Sequence, residues 1–276
     1  MVGEASGDLH ASYLMLAIKE LDGGSQFFGV GGKKMEQLSF KSLVSIDKLA
    51  VIGFFEVVKQ LGFFIKLKTK IINDIKQKRP DKIILVDYPG FNLRLAKAIK
   101  KETNTPIVYY ISPQLWAWKE KRISIIKKHV DSMIVLFPFE KSWYAKRGVV
   151  VHYFGHPLSE IFNKVSKTLN NDKKRKVKTI ALFPGSRQQE LQKHLPLYKK
   201  IIIELKKLQP DLFFILKLTD GSSINVKKEL GLKDNYRLEK GESFNAFIQS
   251  DFALVASGTA TLECAFAKTP MAVIYK

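Results

Sequence analysis

The sequence predicts an α/β chain of parallel, doubly wound sheets with helices on both faces, divided into two domains. Three observations predict it. Short apolar runs alternate with helix-like patterns along all 276 residues. The runs are continuously apolar rather than alternating, as in strands buried on both faces. The rhythm also breaks once, between residues 155 and 178, where Pro157, the Asn170 and Asn171 pair and the basic run KKRKVK stand, and it resumes at Thr179. Strand–helix alternation closes into βαβ units. The break divides the chain into residues 1–157 and 158–276.

The elements follow in chain order. Residues 3–8 (GEASGD) read as a loop entering a helix over 9–21, with Ser6 as its cap. Such a loop normally follows a strand, of which only Met1 and Val2 stand before it. Residues 29–34 (GVGGKK) follow the apolar Phe27 and Phe28, but Lys34 occupies the place where a dinucleotide fingerprint needs its last glycine, so the segment reads as a turn. Residues 51–68 carry a stripe of Phe54, Val58, Leu61 and Ile65 at helical spacing, widened by Phe55, Gly62 and Phe63 and sprinkled with lysine. Such a stripe faces either a core or a membrane interface. Strands are expected at 83–87, 107–111 and 132–137, with a helix over 91–101. In the second part strands are expected at 179–183, 212–216, 252–256 and 271–275, with a helix over 195–208 that Pro210 closes. No helix follows the last strand before Lys276, so the second sheet is expected to be incompletely covered.

Composition narrows the classes. Lys and Arg number 46 against 26 Asp and Glu, a formal charge of +20, and such a field attracts phosphorylated substrates, anionic lipid or nucleic acid. No zinc finger, RNA-recognition signature or helix-turn-helix pattern supports the last. Cys264 is the single cysteine, so there is no internal disulfide framework and a reducing compartment is expected. The opening residues are polar and Gly-rich, unlike a signal peptide, and no apolar run approaches the roughly 18 residues of a membrane span. His10, His129, His152, His156 and His194 show no metal-ligand spacing, and neither a metal nor a cofactor is expected.

Four loops could carry chemistry. In Gly3-Glu4-Ala5-Ser6-Gly7-Asp8 a helix start offers N–H groups to an anion or a sugar hydroxyl, with His10 a lesser candidate base one turn on. Asp87 ends an apolar run, and Pro89 and Gly90 turn the chain away from it. A carboxylate at the carboxyl end of a strand lies where doubly wound sheets bind ligands, and it could take a proton from an attacking hydroxyl. Gly185, Ser186 and Arg187 combine a turn with a guanidinium suited to a diphosphate. Ser257, Gly258 and Thr259 open another helix, with Glu263 one turn in, able to accept hydrogen bonds from a ribose. The alternative reading of each loop is an ordinary capped or glycine turn, and Trp116 and Trp118, beside Lys119, could be interfacial or packed.

Taken together the blocks GEASGDLHA, VIGFFEV, VDYPGFN, YYISPQLWAWKEKR, LFPFEK, GHPL, LFPGSRQQE and ASGTATLECA resemble, in order, the lipid-A-disaccharide synthases, from Gly3 to Tyr275. The resemblance implies a GT-B architecture, two Rossmann-like domains facing across a cleft, the first taking the acceptor and the membrane, the second, incomplete here, taking the UDP-sugar. It implies an inverting glycosyltransferase moving 2,3-diacylglucosamine from UDP to lipid X, peripheral on the cytoplasmic face of the inner membrane, without metal or other cofactor. Under it Asp87 is the general base, Arg187 stabilises the departing diphosphate, Glu4, Ser6, Gly7, Asp8 and His10 line the acceptor side, and Gly185, Ser186, Ser257, Gly258, Thr259 and Glu263 hold UDP. Phe54, Phe55, Val58, Leu61, Phe63 and Ile65 become membrane-facing, and anionic inner-membrane lipid becomes a partner. It implies a fuller first strand and further C-terminal residues. Other readings are a different UDP-sugar enzyme of the same fold, such as a GlcNAc transferase or an epimerase, or an inactive lipid- or nucleotide-binding protein.

Overall fold

A computed structural model describes residues 1–46, 49, 61–168, 178–185, 188–217, 225–232, 234–239 and 243–275. Contacts divide the chain into two compact units, Met1–His156 and Pro157–Lys276.

The first unit opens with α1 (Ala5–Leu21), which buries Gly7, Ala11 and Met15 at spacings of one helical turn. Strand β1 (Phe28–Gly31), the short α2 (Lys33–Glu36) and β2 (Lys41–Ser45) follow. Then come α3 (Leu61–Lys78), β3 (Ile83–Val86), α4 (Pro89–Glu102), β4 (Ile107–Tyr110), a short 3-10 turn, α5 (Ile123–His129), β5 (Ser132–Val135), α6 (Pro138–Ala145) and β6 (His152–Tyr153). Strand β1 pairs in parallel with β2, and β3, β4, β5 and β6 pair in parallel in that order. Residues 1 and 2 stand between the two groups. Val2 N donates to Val30 O (3.1 Å), and Val86 N donates to Met1 O (2.9 Å). Backbone pairing therefore runs without a break from β2 through β1 and these two residues to β3 and on to β6.

In the second unit, α7 (Pro157–Thr168) leads to β7 (Thr179–Phe183), α8 (Gln188–Leu208), β8 (Phe213–Lys217), α9 (Val226–Leu230), β9 (Tyr236–Glu239), α10 (Ser243–Ile248), β10 (Phe252–Ala256), α11 (Thr259–Phe266) and β11 (Met271–Ile274). Its sheet is all parallel, in the order β11-β10-β7-β8-β9. Every residue of β7 is buried, which explains its unbroken apolar run.

Three expectations need correction. GVGGKK is not a turn: Phe28–Gly31 is a strand and Gly32 caps a helix. Gly31 and Gly32 are required by close approach, since a Cβ would lie 2.6 Å from the Phe40 ring at the first and 2.6 Å from an Asp8 oxygen at the second. Ser6 does not cap α1; Glu4 holds the N-cap position, and no side chain bonds the helix start there. Pro157 does not interrupt the rhythm but begins α7, where a proline without an N–H costs nothing.

Both sheets share one device at their amino edge. Asp131, just before β5, accepts from Ile107 N at 2.7 Å, while its own N donates to Ile107 O at 3.0 Å. Asp251, just before β10, accepts from Thr179 N at 2.8 Å and donates to Thr179 O at 2.9 Å. Each aspartate satisfies the first amide of the neighbouring strand, which the ladder alone would leave open.

Candidate active site

In each unit two loops meet where the strand order reverses. In the first, the chain passes from residues 1 and 2 to β1 and β2 on one side, whereas β3 to β6 proceed on the other. The Gly3–Glu4 loop and the Asp87–Tyr88 loop leave this switch point, the place at which open α/β sheets form ligand crevices. They press together: a Cβ on Gly3 would fall 2.3 Å from the Tyr88 ring. Asp87 (φ 44°) and Tyr88 (φ 50°) both adopt the left-handed conformation that L residues avoid. The turn is held from beneath. Asp87 O accepts from Tyr109 Oη (2.6 Å) and Asn92 Nδ2 (2.8 Å), Asn92 also donates to Val86 O (3.2 Å), and Asp87 N donates to Tyr110 O (3.1 Å). The backbone is thus fixed while the carboxyl group projects from the strand end. Burial, and after it the negative charge of Glu4, raise the Asp87 carboxyl to about 6, against a smaller opposing contribution from the Tyr88 N–H.

The other predicted residues of this unit divide. Glu4 is exposed beside Asp87. Asp8 is not available to an acceptor: it is 4% exposed, and its oxygens accept from Gly32 N (2.8 Å), Lys34 N (3.0 Å) and Met35 N (3.3 Å), capping α2. Gly7 faces the sheet, where a Cβ would lie 3.4 Å from Val2, so its smallness serves close packing of α1. His10 is buried, 6.4 Å from the His156 ring, and desolvation, with His156 second, lowers it to about 4. At neutral pH it is uncharged. Its Nδ1 has no hydrogen-bond partner among the described residues. Further along the same sheet edge, the buried Glu140 carboxylate accepts from Ser112 Oγ (2.6 Å) and from the amides of Leu136 and Phe137, tying the SPQLW and LFPFEK loops together.

In the second unit the sheet order reverses between β7 and β10, which are neighbours. The FPG loop after β7 and the SGT loop after β10 therefore emerge side by side. Gly185 takes φ +120°, which L side chains rarely adopt. Tyr198 Oη donates to Phe183 O (2.8 Å), and the His194 Nδ1 to Pro184 O contact (2.9 Å) requires the proton on Nδ1, so two buried side chains one turn apart on α8 hold this loop. Ser186 and Arg187 lie outside the described residues. Gly258 is the N-cap of α11, Ser257 and Thr259 are exposed, and the Thr261 hydroxyl donates to Gly258 O (2.7 Å). The free amides of the first helical turn point away from the helix body, a ready anion site. Glu263 stands half-buried one turn in.

Of the stripe expected to face a membrane, Phe54, Phe55 and Val58 lie outside the described residues. Leu61 begins α3. Phe63 is half-buried and packs on the core, which corrects that assignment, whereas Ile65 is 52% exposed. No described helix is long and apolar enough to cross a membrane. Asn92, Tyr109, His194 and Tyr198 were missed as supports of the site. The only signal was a polar residue inside an otherwise buried face, as at His194 and Tyr198 at i, i+4 spacing.

Solved structures with the same fold include the S. aureus MnaA–UDP co-structure (TM-score 0.62, 15% identical, covering 91% of this chain and 79% of that one) and CalG4, the calicheamicin glycosyltransferase (TM-score 0.57, 13% identical, covering 99% and 76%). Fold and paired switch-point loops together define a protein of the GT-B class, two Rossmann-like units of parallel sheet. A family profile described as lipid-A-disaccharide synthetase matches residues 1–276. Lipid-A-disaccharide synthase 1 of Legionella pneumophila (strain Paris) is 39% identical over 294 residues, covering 100% of this chain and 73% of that protein. The lipid-A-disaccharide synthase of Coxiella burnetii (strain Dugway 5J108-111) is 36% identical over 282 residues, covering 100% and 74%. The chain belongs to the lipid-A-disaccharide synthase family and is a glycosyltransferase.

Proposed function

We propose that the chain transfers 2,3-diacylglucosamine from its UDP-activated form to the 6-hydroxyl of 2,3-diacylglucosamine 1-phosphate (lipid X), with inversion. Products are the β-1′,6 disaccharide phosphate and UDP. The observation that carries the mechanism is the carboxyl of Asp87, raised to about 6 on a rigidly held switch-point turn. It remains mostly ionised at neutral pH yet is a stronger base than an ordinary aspartate. As the acceptor oxygen bonds to the anomeric carbon, its proton passes to Asp87. The bond from that carbon to the diphosphate breaks, leaving the electron pair on UDP, and Asp87 later releases the proton to water. Arg187, Ser186 and the α11 helix start stabilise the charge on the leaving diphosphate. Gly185, Ser257, Gly258 and Thr259 contact it through backbone and hydroxyl groups, and Glu263 holds the ribose. Glu4 borders the acceptor. In this reading residues 1–157 take the acceptor and 158–276 take the nucleotide.

We further propose that the chain works as a peripheral protein on the cytoplasmic face of the inner membrane, with anionic lipid as partner. The phosphorylated lipid substrates, the +20 charge and the exposed Ile65 on α3 support this.

The test incubates the protein with both lipid substrates in detergent micelles and follows UDP and disaccharide phosphate by mass spectrometry. Asp87→Asn should lower the rate by ~10²–10⁴-fold, and Arg187→Ala by ~10²-fold or more. Equal turnover by Asp87→Asn would remove the base from this residue. Silence of the protein beside an active control synthase would remove the substrate pair.

A further inference from the structure

Trp116 and Phe139 take no part in the chemistry above, yet the fold holds both rings in the open at the carboxyl edge of the first sheet. Trp116 is 39% exposed and Phe139 47%. Their rings meet nearly at right angles, with 5.1 Å between centroids. Phe139 stacks in turn on Phe137 at 5.7 Å, Phe137 lies 5.7 Å from the His156 ring, and His156 lies 6.4 Å from His10. A row of rings thus crosses the strand ends, from the loops after β4 and β5 back to α1.

These two loops are fixed in place. Ile111 takes φ 66°, a left-handed conformation to which a β-branched residue is poorly suited. Ser112 Oγ then donates to the buried Glu140 carboxylate (2.6 Å), which also accepts from Leu136 N and Phe137 N, and Tyr144 Oη donates to Pro113 O (3.1 Å). Leu115 anchors the first loop in the core. A strained residue and a buried carboxylate therefore hold two large apolar rings toward water, the reverse of what the hydrophobic effect alone favours. The place is also particular. Asp87 N donates to Tyr110 O (3.1 Å), so Ile111 follows directly on the residue beside the proposed base. By ordinary strand spacing, β4 and β5 lie about 5 Å and about 10 Å from β3.

The chemistry of the row shows what fits it. Trp116, Phe137 and Phe139 carry one polar atom among them, the indole N–H, so a sugar hydroxyl or a phosphate finds almost nothing to bond. Rings at right angles make a notch, whereas a flat sugar face needs a flat ring. The three ring-to-ring steps from Trp116 to His156 are longer than one sugar ring. We propose that Trp116, Phe139 and Phe137 seat one fatty-acyl chain of the acceptor, with its sugar at the Asp87 end of the row, and so determine which chain lengths the enzyme takes. The proposal deepens the reaction given above and rests on it.

The experiment compares dihexanoyl and dioctanoyl glucosamine 1-phosphates as acceptors, dissolved as monomers without detergent or vesicles, so that no interface competes for the chains. The donor carries hexanoyl chains throughout. At about fourfold per methylene, the two methylenes added to one seated chain should raise kcat/KM of the parent about fifteenfold. W116A and F139A should reduce that preference to a few-fold, chiefly through KM with kcat little changed. L21A, which removes an apolar side chain 91% exposed at the other end of α1, should keep it. Circular dichroism and thermal unfolding check that each variant is folded. A second measurement needs neither turnover nor alanine: an acceptor brominated along its chains should quench tryptophan fluorescence in the parent and in W118F, and much less in W116F. A chain-length preference that W116A and F139A both keep, or quenching that survives in W116F, would overturn the acyl seat and leave the rings as packing or as an interfacial pair. A parent silent on full-length lipid substrates beside an active control synthase would instead bring down the reaction itself, and the seat with it.

Discussion

Asp87 and Tyr88 occupy consecutive left-handed positions, which an aspartate tolerates better than a tyrosine does, and the side chains beneath them show why the turn persists. Strain of this kind costs about 1–3 kcal/mol per residue, and it is offset here by Tyr109 and Asn92. The sign of the Asp87 shift decides two predictions. Because the fold raises the carboxyl from 3.8 to about 6, the folded state holds that proton more tightly than the unfolded chain. Stability is therefore lost as the pH rises from about 4 through about 6. Asp87→Asn should be more stable than the parent at neutral pH by about 3 kcal/mol while being far less active, a pairing that urea unfolding and rate assays would reveal together. The rate of the parent should fall below pH about 6 as the base is protonated. In Glu4→Gln, with the second cause of the shift removed, that acid limb should move to lower pH; an unmoved limb would separate Glu4 from Asp87. Gly3→Ala should displace the Tyr88 ring, which a Cβ would meet at 2.3 Å, and lower kcat/KM with little change in overall fold.

At the scale of elements, the strands legible in the sequence are those with continuous apolar runs, most of them buried on both faces, although the half-exposed edge strand β11 carries such a run too. β7 and β10 match their apolar runs residue for residue, 179–183 and 252–256. β2, β6 and β9 were not legible because they are edge strands, whose outer faces meet water and whose sequences KSLVS, HY and YRLE carry no continuous apolar signal. β1 was hidden for another reason: its glycines, required by contact with Phe40 at Gly31, imitate a turn. The paired aspartates at the amino edges give this scale its own prediction. Asp251→Ala should cost about 1–2 kcal/mol by removing a charged acceptor from a backbone amide. It should also speed hydrogen exchange at Thr179 N, with Asp131→Ala doing the same at Ile107 N.

For the whole molecule, a charge of +20 gives a long-range field that should speed encounter with phosphorylated lipid. The value of kcat/KM should therefore fall as ionic strength rises while kcat changes little, which assays at low and high salt would show. The sequence by itself determined the fold class, because burial on both faces demands continuous apolar strands, and the family, because eight blocks recur in order. It also marked Asp87, Glu4, Gly185 and the SGT loop, since turns, caps and carboxylates at strand ends are local features that neighbouring residues betray. Only the tertiary structure decided how they combine. Strand order is a matter of which strands lie side by side, and no local pattern encodes it. That order brings Gly3–Glu4 against Asp87–Tyr88, and the loop after β7 beside the loop after β10, each pair at a reversal of the sheet. It likewise withdrew Asp8 into a helix cap and Gly7 into packing. A carboxylate or a glycine looks the same in sequence whether it faces a crevice or a neighbouring backbone, and only the partner across space distinguishes them.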